Sequence, residues 1–302
     1  MSRIATPREG QTFIGPGRLA AYASFVKLPH TVFALPFALT GVVFASRHAQ
    51  VTAAIVGWAM LAFTSVRFAA MAFNRIVDRD IDARNPRTAM REIPSGRLGV
   101  REATLLAVVA SAIFLLSAWM LNPLCFALAP IALAWVLGYS YSKRFTQWAH
   151  LVLGAGLAIA PVGGYLAVTG RWAEPWWMLI ALAAAVGTWV AGFDILYALQ
   201  DEEFDRTNGL HSLPVALGGS RAIVVSRALH VATVLCLALA GIGAGVDVWY
   251  WGGVVATAAL LVYEHSLVRA NDLSRLDAAF FTMNGVISLT FFAFVLVDRV
   301  TL

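Results

Sequence analysis

Phe73-Asn74-Arg75-Ile76-Val77-Asp78-Arg79-Asp80-Ile81-Asp82-Ala83-Arg84-Asn85-Pro86-Arg87-Thr88 follows directly on a long apolar run and carries three aspartates, two asparagines and four arginines. Asn74, Asp78 and Asp82 stand at i, i+4 and i+8, so on a helix they drift by only about 40° per step and share one face. Asp80 points elsewhere. Two carboxylates and an amide oxygen on one face make a hard-oxygen site suited to Mg2+, which prefers carboxylates together with waters and phosphate oxygens. A second stretch, Asp194-Ile195-Leu196-Tyr197-Ala198-Leu199-Gln200-Asp201-Glu202-Glu203-Phe204-Asp205, sets Asp194, Tyr197, Asp201 and Asp205 at i, i+3, i+7 and i+11, again in one stripe. Each stripe closes an apolar run. Together they read as two halves of one metal-diphosphate site.

The runs that these stripes close decide the fold class. The 302 residues are 60% hydrophobic and only 13% charged, with a mean hydropathy of +0.74. An average soluble domain is roughly 25% charged, so the chain is expected to be a polytopic membrane protein. Met1 to Gly17 is polar, with Arg3 and Arg8 and no apolar core of a signal peptide, so the first apolar run is expected to be retained. The net charge is +5, but the basic residues lie in short loops between apolar runs, which argues against nucleic acid as a partner. Cys125 and Cys236 sit inside apolar runs with no disulfide or metal spacing and are expected to pack.

A helical span needs about 20 apolar residues. Candidate spans fall at roughly 22–45, 51–74, 102–121, 123–141, 149–169, 176–200, 221–246, 248–268 and 277–297. The expected fold is an all-α membrane bundle of about nine transmembrane helices around a central cavity. It forms a single domain over 1–302, with 1–21 as a polar N-terminal segment. Pro29 and Pro36 predict a kink or break in the first span. Cytoplasmic loops collect Lys and Arg. With this topology one side holds 18 basic residues and the other only Arg47, Arg171 and Arg299. The amino terminus and both acidic stripes are therefore expected on the cytoplasmic face. Asp78 and Asp201 each follow an even-numbered span, a hint of two related four-helix halves plus a ninth helix.

Asn-x-x-x-Asp-x-x-x-Asp at 74–82, running on into Asn85-Pro86-Arg87-Thr88 and Pro94-Ser95-Gly96, resembles the UbiA family of intramembrane prenyltransferases. So does Asp194-x-x-Tyr197-x-x-x-Asp201-x-x-x-Asp205, with further matches at Lys27-Leu28-Pro29-His30-Thr31, Tyr139-Ser140-Tyr141-Ser142-Lys143-Arg144 and Asn284. The resemblance covers nearly the whole chain, and the loop after Asp82 looks most like the 4-hydroxybenzoate polyprenyltransferase branch. One departure is Arg91-Glu92-Ile93-Pro94, where many members have Arg-Pro-Leu-Pro. Ubiquinone and menaquinone acceptors both stay open.

The resemblance implies transfer of a polyprenyl group from its diphosphate to an aromatic ring, at an inner-membrane site facing the cytoplasm. Neutralising the leaving diphosphate is the chemical requirement, and Mg2+ with Arg and Lys supplies it. Asn74, Asp78 and Asp82 are expected to hold one Mg2+, with Asp201 and Asp205 on the second. Lys143 is the expected diphosphate clamp, helped by Arg75 or Arg79. Lys27, Arg67, Arg144 and Asp194 are further candidates around the substrates. Tyr139 and Tyr197 are expected at the mouth of a dry, aromatic cavity. Arg67 lies within a span on the face of Asn74, where a charge is a functional residue by default; snorkelling or structural pairing is the other reading. His30 reads as a helix-end histidine, Trp172, Trp176 and Trp177 as an interfacial belt, and Asn284 as a bridge between helices.

Other readings stay within reach of the sequence. Haem O synthase, homogentisate and chlorophyll-type prenylation share the metal motif. A cation or phosphate transporter would also use acidic residues, but near the bilayer midplane. A solvated loop or a structural membrane subunit needs no pair of aligned acidic stripes at one face.

Overall fold

The computed structural model describes residues 18–26 and 28–301, in which helices alternate with short turns and there is no strand. Lys27 therefore lies outside the described residues. Helix α1 (Arg18–Phe25) precedes α2 (Leu28–Ala45), α3 (Ala53–Val77), the short α4 (Arg79–Arg84), α5 (Val100–Leu121) and α6 (Pro123–Gly138). A 3-10 turn over Tyr139–Arg144 extends α6, and α7 (Ala149–Thr169) and α8 (Trp177–Ala198) follow. A second 3-10 turn, Leu199–Asp201, leads into α9 (Glu202–Thr207) and α10 (Leu213–Leu217). Helices α11 (Gly219–Ala244), α12 (Val248–Leu267) and α13 (Asn284–Thr301) close the chain, with a π-helical turn over Ala278–Met283 before α13.

Every apolar run picked out from the sequence is occupied by helix. Seven helices among the described residues are long and apolar enough to cross a membrane: α3, α5, α6 with its extension, α7, α8 with its extension, α11 and α13. Helix α2 packs on α7 and α13, and α12 on α13 and α11, so both belong to the bundle. The chain is an all-α, multi-pass membrane protein. Leu105, Trp119, Ile131, Val255, Val262 and Val300 are all more than half exposed, and lipid is the solvent that suits such a surface.

Proline and glycine set the details. Helix α1 ends at Phe25 and α2 begins at Leu28, so that Pro29 falls in the first turn of α2, where its missing N–H costs nothing. Pro36 stays inside α2. Helices α2 and α7 cross closely because Gly164 lies against the Ala38 carbonyl and Gly41 against the Pro161 carbonyl; a Cβ at either glycine would strike that oxygen. Helix α8 is the axis of the bundle, with Met178, Leu182, Val186, Trp189 and Val190 buried between α7 and α11. Phe37 of α2 reaches it, its ring 4.6 Å from that of Trp189.

At the end of the bundle remote from the acidic stripes, Asp298 ties three helices together. Buried in α13, it accepts the backbone N–H of Asp247 at 3.1 and 3.2 Å and of Tyr250 at 3.0 Å, which caps α12. Arg47, just beyond α2, pairs with it at 3.0 Å. Removing one partner of a buried pair costs about 3–5 kcal/mol. Asp298→Ala is therefore expected to lower the thermal unfolding midpoint in detergent by several degrees, and an unchanged midpoint would remove this knot from the stability of the bundle.

Candidate active site

The first acidic stripe does not run along one unbroken helix. Helix α3 ends at Val77, and Asp78, with φ −92° and ψ 4°, is both its C-cap and the entry to α4. The bond from Asp82 N–H to Asp78 O at 2.8 Å nevertheless keeps the i+4 spacing across the joint. Asn74, Asp78 and Asp82 consequently all line one cavity. Asn74 donates its amide N–H to Asp78 at 2.8 Å, which turns the amide oxygen away from that carboxylate. Burial, and then the like charge of Asp82, push the Asp78 carboxyl above the usual carboxylate range.

The second stripe also bends. Helix α8 stops at Ala198, and the 3-10 turn carries Asp201 into α9, where Asp205 is buried. Asp194, Tyr197, Asp201 and Asp205 line the same cavity as the first stripe. Lys143, in the turn after α6, sits in the electrostatic field of Asp194, Asp205, Asp201 and Asp78 at once. Lys143 and these four carboxylates, drawn from both motifs, line one cavity. Tyr139 is also on the wall, among Asp78, Arg67, Asp194 and Arg75.

The arginines at the charged end come from the loop after α4 and, for Arg144, from the 3-10 turn after α6. Arg87 forks onto Asp201 through Nε at 2.9 Å and Nη2 at 2.5 Å, and its Nη1 donates to the Tyr197 hydroxyl at 3.0 Å. Asn85 adds an amide N–H to Asp201 at 3.0 Å. Arg91 pairs with Asp82 at 2.7 Å, and Arg144 with Asp78 at 3.4 Å. The Arg87 and Arg91 pairs preset the loop over the carboxylates. Arg79 turns outward to Asp80, and Arg75 is buried off the cavity wall, so neither joins the cavity as expected. The reason is rotational: a helix turns about 100° per residue, and both follow directly on stripe residues.

Away from the charged end the cavity, of about 410 Å³, is apolar, with Phe63, Phe114, Leu121, Cys125, Leu128 and Leu157 on its wall. Arg67 faces into it from α3, with a buried Nε that no hydrogen bond satisfies. Among the described residues no three His, Cys, Asp or Glu side chains converge to hold a metal by themselves. The cavity wall presents instead two buried carboxylate oxygens without a hydrogen-bond partner, Asp82 Oδ2 and Asp205 Oδ2, one from each stripe. That donor set suits a hard cation that keeps waters and phosphate oxygens in its shell.

Residues 34–286 match the model of the UbiA prenyltransferase family. The chain belongs to that family. As a UbiA-family protein it is an enzyme, a prenyltransferase of the membrane. It is 31% identical over 231 residues to a 4-hydroxybenzoate octaprenyltransferase of Aromatoleum aromaticum, covering 76% of this chain and 77% of the relative. A 4-hydroxybenzoate octaprenyltransferase of Alkalilimnicola ehrlichii is 31% identical over 232 residues, covering 76% and 78%. Among solved structures, the apo UbiA homolog of Aeropyrum pernix K1 superposes with a TM-score of 0.81 at 34% identity, over 89% of this chain and 98% of that one. The UbiA homolog of Archaeoglobus fulgidus bound to DMAPP and Mg2+ has a TM-score of 0.73 at 21% identity, over 93% of this chain and 100% of that one, a likeness of fold.

Within this UbiA-family site, sequence reasoning missed Asn85, Arg87, Arg91, His150 and Phe280. The loop Asn85-Pro86-Arg87-Thr88 was visible as a motif, but its partner on Asp201 lies 114 positions away. Phe280 stacks on Tyr197 with ring centroids 4.1 Å apart and is delivered by the π-helical turn, whose carbonyl at Phe280 takes the Asn284 amide at 2.7 Å. Asn284 thus serves its own chain segment rather than a neighbouring helix.

Proposed function

We propose that this prenyltransferase moves a polyprenyl group from its diphosphate to a 4-hydroxybenzoate-like aromatic acceptor, on the way to ubiquinone or menaquinone. The observation that carries it is one cavity with a charged end built from both acidic motifs and an apolar remainder. A prenyl diphosphate has the same division of charge. The curated relatives named for 4-hydroxybenzoate support the choice of acceptor. The distribution of basic loops supports an inner-membrane protein whose site faces the cytoplasm.

The chemistry follows from the residues. Lys143 binds the diphosphate, with Arg87, Arg91 and Arg144 as further cations on the wall. Asn74, Asp78 and Asp82 on one side, and Asp205 with Asp201 on the other, would hold Mg2+ together with the diphosphate oxygens. A bound Mg2+ supplies Lewis-acid neutralisation of the leaving group. Tyr139, Tyr197 and Phe280 set π faces around the carbon end, where a developing allylic cation is stabilised. Arg67 offers a guanidinium inside the cavity, matched to an acceptor carboxylate.

Chelation should abolish product formation, and added Mg2+ should restore it. Arg67→Gln should raise KM for 4-hydroxybenzoate by about tenfold or more, since a hydrogen bond to a charged group is worth about 1.5–3 kcal/mol. KM for the donor should stay within about twofold on the same scale. Product formation that survives chelation would remove the cation from the mechanism. An unchanged acceptor KM would remove Arg67 from acceptor binding.

A further inference from the structure

Helix α13 begins at Asn284, directly after the π-helical turn Ala278–Met283. Asn284 is fully buried, and its side-chain amide donates to the Phe280 carbonyl at 2.7 Å. In a π-helical turn the backbone ladder steps by five residues instead of four, and such turns are frequent at functional sites. The Asn284 side chain makes the four-residue step back to Phe280. A side chain bonded in this way to a nearby carbonyl competes with the regular ladder. The widened turn is thus pinned from within its own segment, at the residue whose ring it presents.

That ring stands where the two ends of the cavity meet. Phe280 stacks on Tyr197, with centroids 4.1 Å apart and an interplanar angle of 28°. It meets Phe193, one turn earlier on α8, almost at right angles and at 5.3 Å. The Tyr197 hydroxyl accepts from Arg87 Nη1 at 3.0 Å, and the guanidinium carbon lies 5.2 Å from the Tyr197 ring centroid. Arg87, Tyr197, Phe280 and Phe193 all line the cavity. These contacts run from a guanidinium through a phenol to two phenyl rings, from the charged end into the apolar part. We infer that Asn284 is a positioning residue: it holds Phe280 against Tyr197, and the two rings keep water from the allylic carbon of the prenyl diphosphate.

The inference rests on the prenyl transfer of the proposed function. As the C1–O bond breaks, diphosphate leaves with the electron pair and C1 becomes electron-poor. The acceptor ring carbon forms the new bond to C1 and loses its hydrogen as a proton. Water that reaches C1 first forms a C–O bond in its place, gives a proton to the solvent and leaves as the prenyl alcohol. Closing a site against water suppresses such side reactions. A Phe280 ring released from Asn284 opens the junction on the side of Tyr197.

The test is the product ratio in water enriched in oxygen-18, with purified protein, Mg2+, a polyprenyl diphosphate and 4-hydroxybenzoate. Alcohol formed by attack at C1 carries the label, whereas alcohol released by cleavage of the P–O bond does not. Val and Thr have nearly the same shape, but only Thr can donate to a carbonyl four residues back, as Thr40 does to Pro36 at 3.1 Å. Asn284→Val should raise the ratio of labelled alcohol to prenylated aromatic by about three- to tenfold, the factor that one lost hydrogen bond corresponds to. Asn284→Thr should bring the ratio back toward that of the wild type. A merely structural role would reduce the amount of active protein and so both products together, leaving the ratio unmoved. Phe280→Leu should raise the ratio as well, and Asn284→Val should add nothing to it in that background. Equal ratios in the wild type and Asn284→Val would overturn the inference; if that variant fails to fold, an unmoved ratio in Phe280→Leu does so. A wild type that makes no prenylated aromatic would instead overturn the proposed function.

Discussion

Asp78→Asn is expected to abolish prenyl transfer in a protein that still folds. The substitution keeps the size of the side chain and leaves an amide oxygen to accept from Asn74, the 2.8 Å bond that closes the end of α3. It removes the charge that makes it worthwhile for Mg2+ to shed water. Negative charge grows on the diphosphate as the C–O bond breaks, so the interaction is stronger in the transition state than in the ground state. Losing several kcal/mol there slows the reaction by a factor of thousands, at about 1.4 kcal/mol for each tenfold. The measurement is the initial rate of product formation beside the thermal unfolding midpoint in detergent. A folded variant retaining even a tenth of the wild-type rate would take Asp78 out of the metal-diphosphate machinery.

Lys143→Ala is expected to damage the donor side alone. Lys143 faces Asp78, Asp194, Asp201 and Asp205, and its removal leaves those carboxylates without their common cation. Hydrogen bonds between charged groups contribute about 1.5–3 kcal/mol, so KM for the prenyl diphosphate should rise roughly 10- to 150-fold. KM for the acceptor should hold. Lys143→Arg keeps the charge but changes its shape, and should recover only part of the loss. Unaltered donor kinetics would return Lys143 to a loop anchor on the basic side of the membrane.

The parts of this site legible in the sequence are those written in local spacing. Asn74, Asp78 and Asp82 advertise themselves because carboxylates at i+4 steps after an apolar run have few other uses. Asp194, Tyr197, Asp201 and Asp205 do the same. The spacing survives although both stripes cross a helix end, at Asp78 and at Leu199. A helical period does not report such a break when the next turn resumes the same register, as the Asp82 to Asp78 bond does. The family likeness carried the fold and the enzyme class for the same reason, since its motifs are these stripes.

What was not legible depends on tertiary approach. Arg75 and Arg79 flank Asp78 along the chain, but rotation about the helix takes them off the cavity wall. Arg87 and Arg91 arrive through a folded-back loop, in which Glu92 is fully buried against the Ser24 hydroxyl at 2.7 Å. That bond gives Glu92 its place: it anchors the loop to α1. His150 carries no period at all. Its partner Asp194 is 44 positions away and its second contact, Leu213, is 63. Phe280 depends on a π-helical turn, which sequence periodicity cannot announce.

The central claim is that the two acidic motifs and the apolar cavity between them make a carbon–carbon bond. Mass spectrometry of the products tests it most directly. Purified protein would be reconstituted in sealed vesicles with Mg2+, one polyprenyl diphosphate and a panel of aromatic acceptors that includes 4-hydroxybenzoate. The expected result is a new species with the mass of acceptor plus prenyl group less one hydrogen, strongest for 4-hydroxybenzoate and absent with Asp78→Asn. No prenylated aromatic from any acceptor, with solute crossing the vesicle membrane instead, would contradict it.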